Sequence, residues 1–481
     1  MTHETLAQVL QWILWVCFAH LAATYFLFTA MLVIALAENR RRDREHRAYD
    51  YEALATSRFT IPVSVICPVY NEEAIVHHVV RSLLAARYPE MELIVVNDGS
   101  RDGTLELLKQ EFGLERREVF FRRQLPSQDV KAVYRSRTDA RLTVVDKMNG
   151  GKADALNCGL NLARYRYVCT VDGDTVFHPD ALLKGMRLAV RDPANVVGVT
   201  SHVAISQRPE SQEAEVAGER HVDADAMSNF QHLDYLRAFL NNRLAWSRLD
   251  FMLCAVGAFA IWRRDTIMEL GGFAREFTCE DIELTFRVHE HFLRQGKKVK
   301  ILSLPHTVGH TEGPDRLKLL ISQRARWQRV ILETVWHYRR MMLNPRYGTV
   351  GLIGMPYYVV SEVLAPFFET LAVLTLPLAW ALGVLGLGPL LCFLGFMSFA
   401  NGLFTTAALM LEDRATREYR LRDVVRLALL GPAELILYRP WISLARLQGT
   451  WGFLRGDKKW HKFERNPRGE SGPREAAPRA V

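Results

Sequence analysis

The chain has 481 residues, of which 49% are hydrophobic, so it is long enough to bury the core of one large or two medium domains. A formal net charge of +8 suits nucleic-acid binding, but the basic residues cluster beside apolar stretches, at 39–44 and from 455 onward. That placement is typical of the cytoplasmic flanks of membrane segments. The seven cysteines lack paired spacing and a zinc-type CxxC pattern, which favours reduced thiols. Composition thus argues against a nucleic-acid-binding protein and against a disulfide framework.

Several apolar stretches are long enough to cross a bilayer. Residues 9–36 are almost free of charge and lack a small-residue cleavage site, which predicts an uncleaved transmembrane helix, with a buried core helix as the alternative. The arginine-rich run that follows predicts that the carboxyl end of this helix faces the cytoplasm. Residues 366–385 and 389–411 are two further predicted spans. The stretch 348–365 is a span or an interfacial helix, and the charged stretch 424–447 is expected to be interfacial or re-entrant.

The charged middle of the chain alternates strand-like and helix-like segments. Apolar runs at 63–67, 92–96 and 167–171 have the composition of buried strands, and helical stretches separate them. This alternation predicts an α/β fold with a mainly parallel, doubly wound sheet. The predicted organisation is a transmembrane helix and basic linker over 1–58, an α/β domain over 59–312 with a polar insertion at about 206–228, an amphipathic interfacial helix over 313–347, transmembrane or interfacial helices over 348–454 and a partly disordered basic tail over 455–481.

Two carboxylates follow the apolar run 167–171, in the sequence Asp172-Gly173-Asp174. Ligands of open α/β sheets bind at the carboxyl ends of the strands. Two carboxylates on a tight turn there suit a hard cation such as Mg²⁺ or Mn²⁺ held against phosphate oxygens. The alternative is a solvated turn after a strand.

Four more positions suit a ligand-binding or catalytic role, and each also has a simpler structural explanation. Asp98 at a strand end suits a nucleobase or ribose, or else a helix-capping turn. Lys152 at a glycine-rich helix start suits a diphosphate, or else lies exposed. Asp281 at a helix start suits a general base, or else compensates the helix dipole. Trp327 beside Arg326 suits a sugar ring near a diphosphate, or else an interfacial anchor.

The order of these motifs, ending in Gln323-x-x-Arg326-Trp327, resembles that of the processive family 2 glycosyltransferases, which include cellulose, chitin, hyaluronan and poly-N-acetylglucosamine synthases. The resemblance covers roughly residues 60–345, and the helix–membrane layout is most similar to that of the bacterial poly-β-1,6-N-acetylglucosamine synthases. Two departures stand out. Cys279 stands where the family usually has threonine before Glu-Asp, and the segment 254–259 differs from the family's Ser-Gly-type acceptor segment.

The resemblance implies a GT-A catalytic fold and a role for each motif. The implied sites are a donor site for a UDP-sugar at Tyr70, Glu72, Asp98, Lys152 and Asp172, a site for Mg²⁺ or Mn²⁺ at Asp172 and Asp174, a catalytic site at Asp281 as general base with Glu280 beside it, and an acceptor and diphosphate site at Gln323, Arg326 and Trp327.

The resulting expectation is an inverting β-glycosyltransferase of the inner (plasma) membrane, multi-pass and with its catalytic domain in the cytoplasm. It would polymerise UDP-N-acetylglucosamine or UDP-glucose into an extracellular polysaccharide and translocate the product. Its expected partners are the donor, a polysaccharide or glycolipid acceptor, the lipid bilayer and an accessory membrane subunit, but no nucleic acid. The alternatives are a non-processive enzyme that adds one sugar to a membrane lipid, and a transporter or scaffold without catalysis.

Overall fold

The computed structural model describes residues 3–47, 51–206, 225–416 and 420–457. Most of the predicted insertion at 206–228 and the predicted tail beyond Asp457 lie outside the described residues. The strands are β1 (Val63–Val69), β2 (Met91–Asn97), β3 (Leu114–Arg117), β4 (Val130–Ser136), β5 (Leu142–Lys147), β6 (Tyr167–Val171), β7 (Thr175–Phe177), β8 (Val196–Ile205), β9 (Phe259–Arg263) and β10 (Lys300–Thr311).

The α-helices alternate with these strands in the first part of the chain and follow them in the last. They are α1 (His3–Arg47), α2 (Tyr51–Thr56), α3 (Val76–Leu84), α4 (Thr104–Glu111), α5 (Lys152–Leu162), α6 (Ala181–Ala189), α7 (Ala226–Leu236), α8 (Leu244–Arg248), α9 (Arg264–Glu269), α10 (Glu280–Arg294), α11 (Leu317–His337), α12 (Met355–Tyr358), α13 (Ala365–Ala381), α14 (Leu387–Thr416), α15 (Leu421–Leu437) and α16 (Arg439–Leu454).

The strands form one sheet in the order β3-β4-β5-β2-β1-β6-β9-β8-β10-β7. Its central part, β5-β2-β1-β6, is parallel, as is the pair β8–β10, whereas the remaining pairs are antiparallel. The expected α/β fold is therefore present with a mixed sheet. The valine-rich central strands β2 and β6 are buried along their whole length, because helices cover both faces.

The strand order reverses at β1, which has β2 on one side and β6 on the other. The carboxyl ends of these three strands therefore meet around a crevice, where α/β proteins bind ligands. The turn after β6 lies tight against the end of β1: a Cβ on Gly173 would be 2.7 Å from the carbonyl oxygen of Pro68. Glycine is required at this point, and the turn directs the flanking Asp172 and Asp174 into the crevice.

Three helical segments of the described chain are long and apolar enough to cross a membrane: Glu4–Arg42, Val350–Ala381 and Leu387–Glu412. The second joins the uncertain stretch 348–365 to the predicted span 366–385 in one helix with two π-helical stretches. The charged stretch 424–447 falls on α15 and α16, outside these candidates.

The first apolar helix is anchored to the α/β domain at its basic end. Arg42 is 3% exposed and pairs with Glu38 at 2.6 Å. Its guanidinium also donates to Ser247 Oγ at 2.9 Å and to the carbonyl oxygen of Ser303. Because a buried charge needs compensation, these bonds hold α1 firmly against α8 and β10.

Candidate active site

A cluster of opposite charges lies at the carboxyl edge of the sheet. Lys152, the first residue of α5, places Nζ 2.6 Å from Asp172 Oδ1 and 2.9 Å from Glu280 Oε1. Burial alone would lower the pKa of Lys152, but Asp172, Glu280 and Asp281 outweigh it and hold that pKa well above its ordinary value. Lys152 is therefore a fixed cation among the predicted donor-site and catalytic carboxylates.

The carboxylate of Asp281 is oriented by bonds to both of its oxygens. Oδ2 accepts a hydrogen bond from the Gly257 amide at 2.9 Å, and Oδ1 accepts from the Ile282 amide at 2.6 Å. Cys279 Sγ donates to Oδ1 at 3.0 Å. Burial, with Asp281 and Glu280 next in effect, raises the pKa of the Cys279 thiol, which therefore keeps its proton for this bond. The start of α10 presents an aligned carboxylate to the crevice.

Asp172 and Asp174 suit a divalent cation whose remaining ligands come from a diphosphate. The pKa of Asp172 is raised, mainly by burial; Lys152 opposes this shift and the like charge of Asp174 adds to it. Two carboxylates whose charges repel each other gain from a shared cation. In the described part of the chain, no group of three His, Cys, Asp or Glu side chains is arranged to hold a metal unaided. Mg²⁺ in such sites is usually bound by one or two carboxylates plus substrate phosphates, which matches this donor set.

Asp98 belongs to a second network of ion pairs and hydrogen bonds, next to the loop that contains Gly150 and Gly151. We call it the closed network, because its charged groups bind one another. Its Oδ1 accepts from the Gly150 amide at 3.0 Å and its Oδ2 from the Gly151 amide at 2.8 Å. The fully buried Lys147 lies 2.5 Å from Asp98 and 2.7 Å from Asp154. The carboxylate of Asp98 thus fixes the loop that leads into Lys152, and its contact with a nucleoside stays a prediction.

The Gln-x-x-Arg-Trp motif lies on α11 and faces the same crevice. The ring of Trp327 is 5.9 Å from that of Tyr235, and the guanidinium of Arg324 is 4.4 Å from the Trp327 ring. Arg324 also pairs with Asp234 at 3.0 Å. These contacts fix the indole between α7 and α11, so its orientation is set by the fold.

One continuous cavity of about 3740 Å³ joins these parts. It extends from the donor-site positions to the apolar helices, where Phe368, Trp380 and Phe393 line it. Every predicted site residue also contributes to its wall: Tyr70, Glu72, Asp98, Lys152, Asp172, Asp174, Glu280, Asp281, Gln323, Arg326 and Trp327. The fold thus gathers residues separated by up to 257 positions into one space.

Family comparisons agree with this geometry. The model of "Glycosyl transferase family 2" matches residues 64–125, and that of "Glycosyl transferase family group 2" matches residues 167–410, more than half of the chain. The chain belongs to glycosyl transferase family group 2. The predicted family and the glycosyltransferase activity are thereby confirmed.

Curated relatives of this transferase include poly-β-1,6-N-acetyl-D-glucosamine synthases. The protein from Staphylococcus epidermidis is 23% identical over 282 residues, which are 57% of this chain and 56% of the relative. The protein from Staphylococcus aureus strain COL is 23% identical over 266 residues, 55% of this chain and 53% of the relative. The chain thus spans about half the length of the curated relatives it matches.

A solved structure supports the GT-A fold of this transferase. The mannosyltransferase PcManGT from Pyrobaculum calidifontis, in complex with GDP-Man and Mn²⁺, superimposes with a TM-score of 0.53 at 18% identity. The match covers 90% of this chain and 99% of that chain. It extends across both the α/β domain and helices that follow it.

Sequence reasoning missed three residues that shape the transferase site. Lys147 and Asp154 form the core of the closed network, and no local motif marks either of them. Arg243, at the end of the π-helical stretch Arg237–Arg243, also lines the cavity. Lys147 pairs with Asp98, 49 positions earlier, and Asp154 pairs with Arg275, 121 positions later, so no local pattern marks these pairs.

Proposed function

We propose that this protein is a membrane-embedded, inverting β-glycosyltransferase that extends a polysaccharide from a UDP-activated sugar, UDP-N-acetylglucosamine or UDP-glucose. The observation that carries the proposal is the single cavity that contains the carboxylate cluster and continues between the apolar helices. A polymerising enzyme needs such a path, because its product must leave the catalytic site as it grows. The names of the staphylococcal relatives support the same activity.

In the proposed reaction, Asp281 removes the proton from the acceptor hydroxyl. The hydroxyl oxygen forms a bond to the anomeric carbon of the donor sugar while the bond from that carbon to the UDP oxygen breaks. The electron pair leaves with UDP, and the proton stays on Asp281 Oδ until solvent takes it. One displacement at the anomeric carbon inverts its configuration, so an α-linked donor yields a β-linked product.

The chain offers cations where the leaving group gains charge. Lys152 lies against Asp172, and Arg326 lines the same cavity on α11. Fixed positive charges beside a developing anion lower the barrier, because they need no reorganisation during the reaction. Asp172 and Asp174 would hold Mg²⁺ or Mn²⁺, which would supply further stabilisation of the diphosphate.

We further propose that the catalytic domain faces the cytoplasm of a multi-pass protein in the plasma membrane. The basic run Asn39–Arg42 at the end of α1 supports this orientation. One candidate span before the α/β domain and two after it are consistent with both flanks lying on the same side.

A donor screen tests the proposal. Protein purified in detergent should release UDP from one of the two UDP-sugars in the presence of Mg²⁺ or Mn²⁺, and EDTA should abolish the release. The Asp281→Asn variant, which lacks the proposed general base, is the matched control. Absence of UDP release across the donor panel would refute the proposal and favour a scaffold without catalysis.

The apolar side of the cavity supports a second candidate, the transfer of one sugar to a membrane lipid. Leu390, Phe393 and Met397 line the cavity on α14 and suit a hydrocarbon chain. Mass spectrometry of the product separates the two candidates. A ladder of oligosaccharides indicates polymerisation, and a single glycolipid species indicates the second candidate.

A further inference from the structure

The backbone adopts an unusual conformation at Asn71, two residues after the end of β1. The φ angle of Asn71 is +53°, in the left-handed region, where asparagine is found far more often than β-branched or bulky residues. Tyr70 before it and Glu72 after it both line the cavity. A conformation of this kind persists only where the surrounding structure fixes it, and such positions cluster at functional sites. The bonds that fix Asn71 therefore indicate how the two neighbouring side chains are placed.

The loop after β2 holds Asn71. The Asn71 amide donates a hydrogen bond to Ser100 Oγ at 3.0 Å, and Asn71 Oδ1 accepts one from the Arg101 amide at 2.8 Å. The last backbone pair of the parallel strands β1 and β2 is Val69 with Asn97. The two loops thus remain joined beyond the end of the sheet, through side chains instead of the strand ladder.

Glu72 is held from behind the cavity wall. Its buried amide donates to Thr104 Oγ1 at 2.9 Å. Thr104 is the first residue of α4, is fully buried and does not line the cavity. Its hydroxyl donates in turn to Asp102 Oδ1 at 2.5 Å. Because a buried amide without an acceptor is costly, the Thr104 hydroxyl fixes the backbone at Glu72 without itself bordering the cavity.

Two further bonds run between the same loops. The Glu73 amide donates to Asp102 Oδ2 at 3.2 Å, and the Gly103 amide donates to Glu73 Oε2 at 2.9 Å. A Cβ on Gly103 would overlap the Glu73 carboxylate, so the loops approach each other closely. Each residue from 71 to 73 is thus bonded to the second loop.

These contacts act on the segment that carries Tyr70 and Glu72, at the carboxyl end of β1, where α/β proteins bind ligands. Resting on the proposed function, we propose that Asn71 and Thr104 are positioning residues for the donor, which fix residues 70–72 so that Tyr70 and Glu72 face the UDP moiety before it binds. A site that is ordered in advance binds more tightly, because the loss of loop and side-chain freedom does not oppose binding. In this role neither Asn71 nor Thr104 takes part in the transfer of the sugar.

Titration of UDP in detergent with Mn²⁺ tests Thr104 first. Thr104→Val keeps the shape of the side chain but lacks the acceptor for the Glu72 amide, so the Kd of UDP should rise about tenfold. Thr104→Ser keeps the hydroxyl, and the Kd should stay within about twofold of the wild type. Since Thr104 lies behind the wall, a change in UDP affinity must pass through the backbone of Glu72.

Asn71 provides a second test, which depends on backbone conformation. Asn71→Gly loses the bond to the Arg101 amide but adopts the left-handed conformation freely, whereas Asn71→Ala also meets the steric cost. The Kd of UDP should rise about tenfold in the alanine variant and less in the glycine variant. Asp250→Ala is the matched control, because Asp250 has a φ of +57° and does not line the cavity. It should lower the Tm as Asn71→Ala does and leave the UDP affinity unchanged.

Steady-state kinetics separates positioning from a general loss of structure. In Thr104→Val the KM of the UDP-sugar should rise about tenfold while kcat stays within about threefold, because Asp281 lies on α10 and keeps its own bonds. A destabilising change alone would lower the amount of folded enzyme, and with it the apparent kcat, at an unchanged KM.

The contrary outcomes are distinct. A UDP Kd within about twofold of the wild type in both Thr104→Val and Asn71→Ala would overturn the positioning role. So would a loss of UDP affinity in Asp250→Ala as large as that in Asn71→Ala, because it would reflect general destabilisation. Wild-type protein that binds no UDP would instead refute the proposed function, and the positioning role with it.

Discussion

Two lysines five positions apart, Lys147 and Lys152, sit in opposite kinds of environment. Lys147 ends β5, is fully buried and pairs with Asp98 and Asp154. Lys152 starts α5, is 34% exposed at its side chain and pairs with Asp172 and Glu280. Each cation bridges two carboxylates, but Lys152 lines the cavity whereas Lys147 lies behind its wall.

The difference lies in what else satisfies the carboxylates. Around Lys147, the Gly150 and Gly151 amides bond to Asp98, while Arg275 and the Gln128 amide bond to Asp154. This network is closed and positions the backbone. In the cluster around Lys152, Asp172 has the like charge of Asp174 nearby and gains from an added cation. The first network is thus expected to serve stability, and the second to serve ligand binding.

The largest effect on stability is expected for Lys147→Met. Removing one partner from a buried ion pair leaves uncompensated charge, which costs about 3–5 kcal/mol. Two carboxylates are affected here, so the upper part of that range applies. Thermal unfolding in detergent should show a clear fall in Tm. An unchanged Tm would show that the network around Lys147 does not serve stability.

The matched substitution Lys152→Met should affect the binding of UDP more than the stability of the fold. The fall in Tm should be smaller than for Lys147→Met, because the side chain of Lys152 is 34% exposed whereas that of Lys147 is fully buried. The affinity for UDP with Mn²⁺ should fall about 10- to 100-fold, in line with the roughly 1.5–3 kcal/mol of a hydrogen bond to a charged group. Titration calorimetry measures this, and unchanged UDP affinity would remove Lys152 from the donor site.

The smallest effect is expected for Cys279→Thr, which restores the residue usual in the family. A threonine hydroxyl can replace the thiol that donates to Asp281 at 3.0 Å. Since both side chains donate one hydrogen bond to the same carboxylate, the transfer rate should change by no more than about tenfold, which corresponds to about 1.4 kcal/mol. Cys279→Val, which lacks a donor, is the control and should be slower than the threonine variant.

The sequence predicted the features that depend on local order. Strand composition and the motif after β6 placed Asp172 and Asp174 at the carboxyl edge of the sheet, and the apolar stretches located the candidate spans. Local propensity and periodicity carry such information. The expectation of a mainly parallel sheet holds for the central strands around the site, and strand composition does not distinguish the antiparallel outer pairs.

The sequence did not predict which distant residues pair with each other. Asp98 ends a strand in a way that suits a nucleoside, but its bonds go to Gly150, Gly151 and Lys147, about fifty residues later. Asp154 likewise pairs with Arg275, 121 positions later, at 3.0 Å. Charge pairing of this kind follows from topology rather than from local pattern.

The Asp281→Asn variant distinguishes the role of Asp281 as the base from the binding of the donor at a separate site. The asparagine keeps the shape of the side chain but cannot take a proton, and loss of a general base costs about 10²- to 10⁴-fold. The measurement is the single-turnover rate of sugar transfer together with the Kd of UDP and Mn²⁺. The transfer rate should fall by about that factor while the UDP affinity stays unchanged; full transfer by the variant would show that Asp281 is not the base.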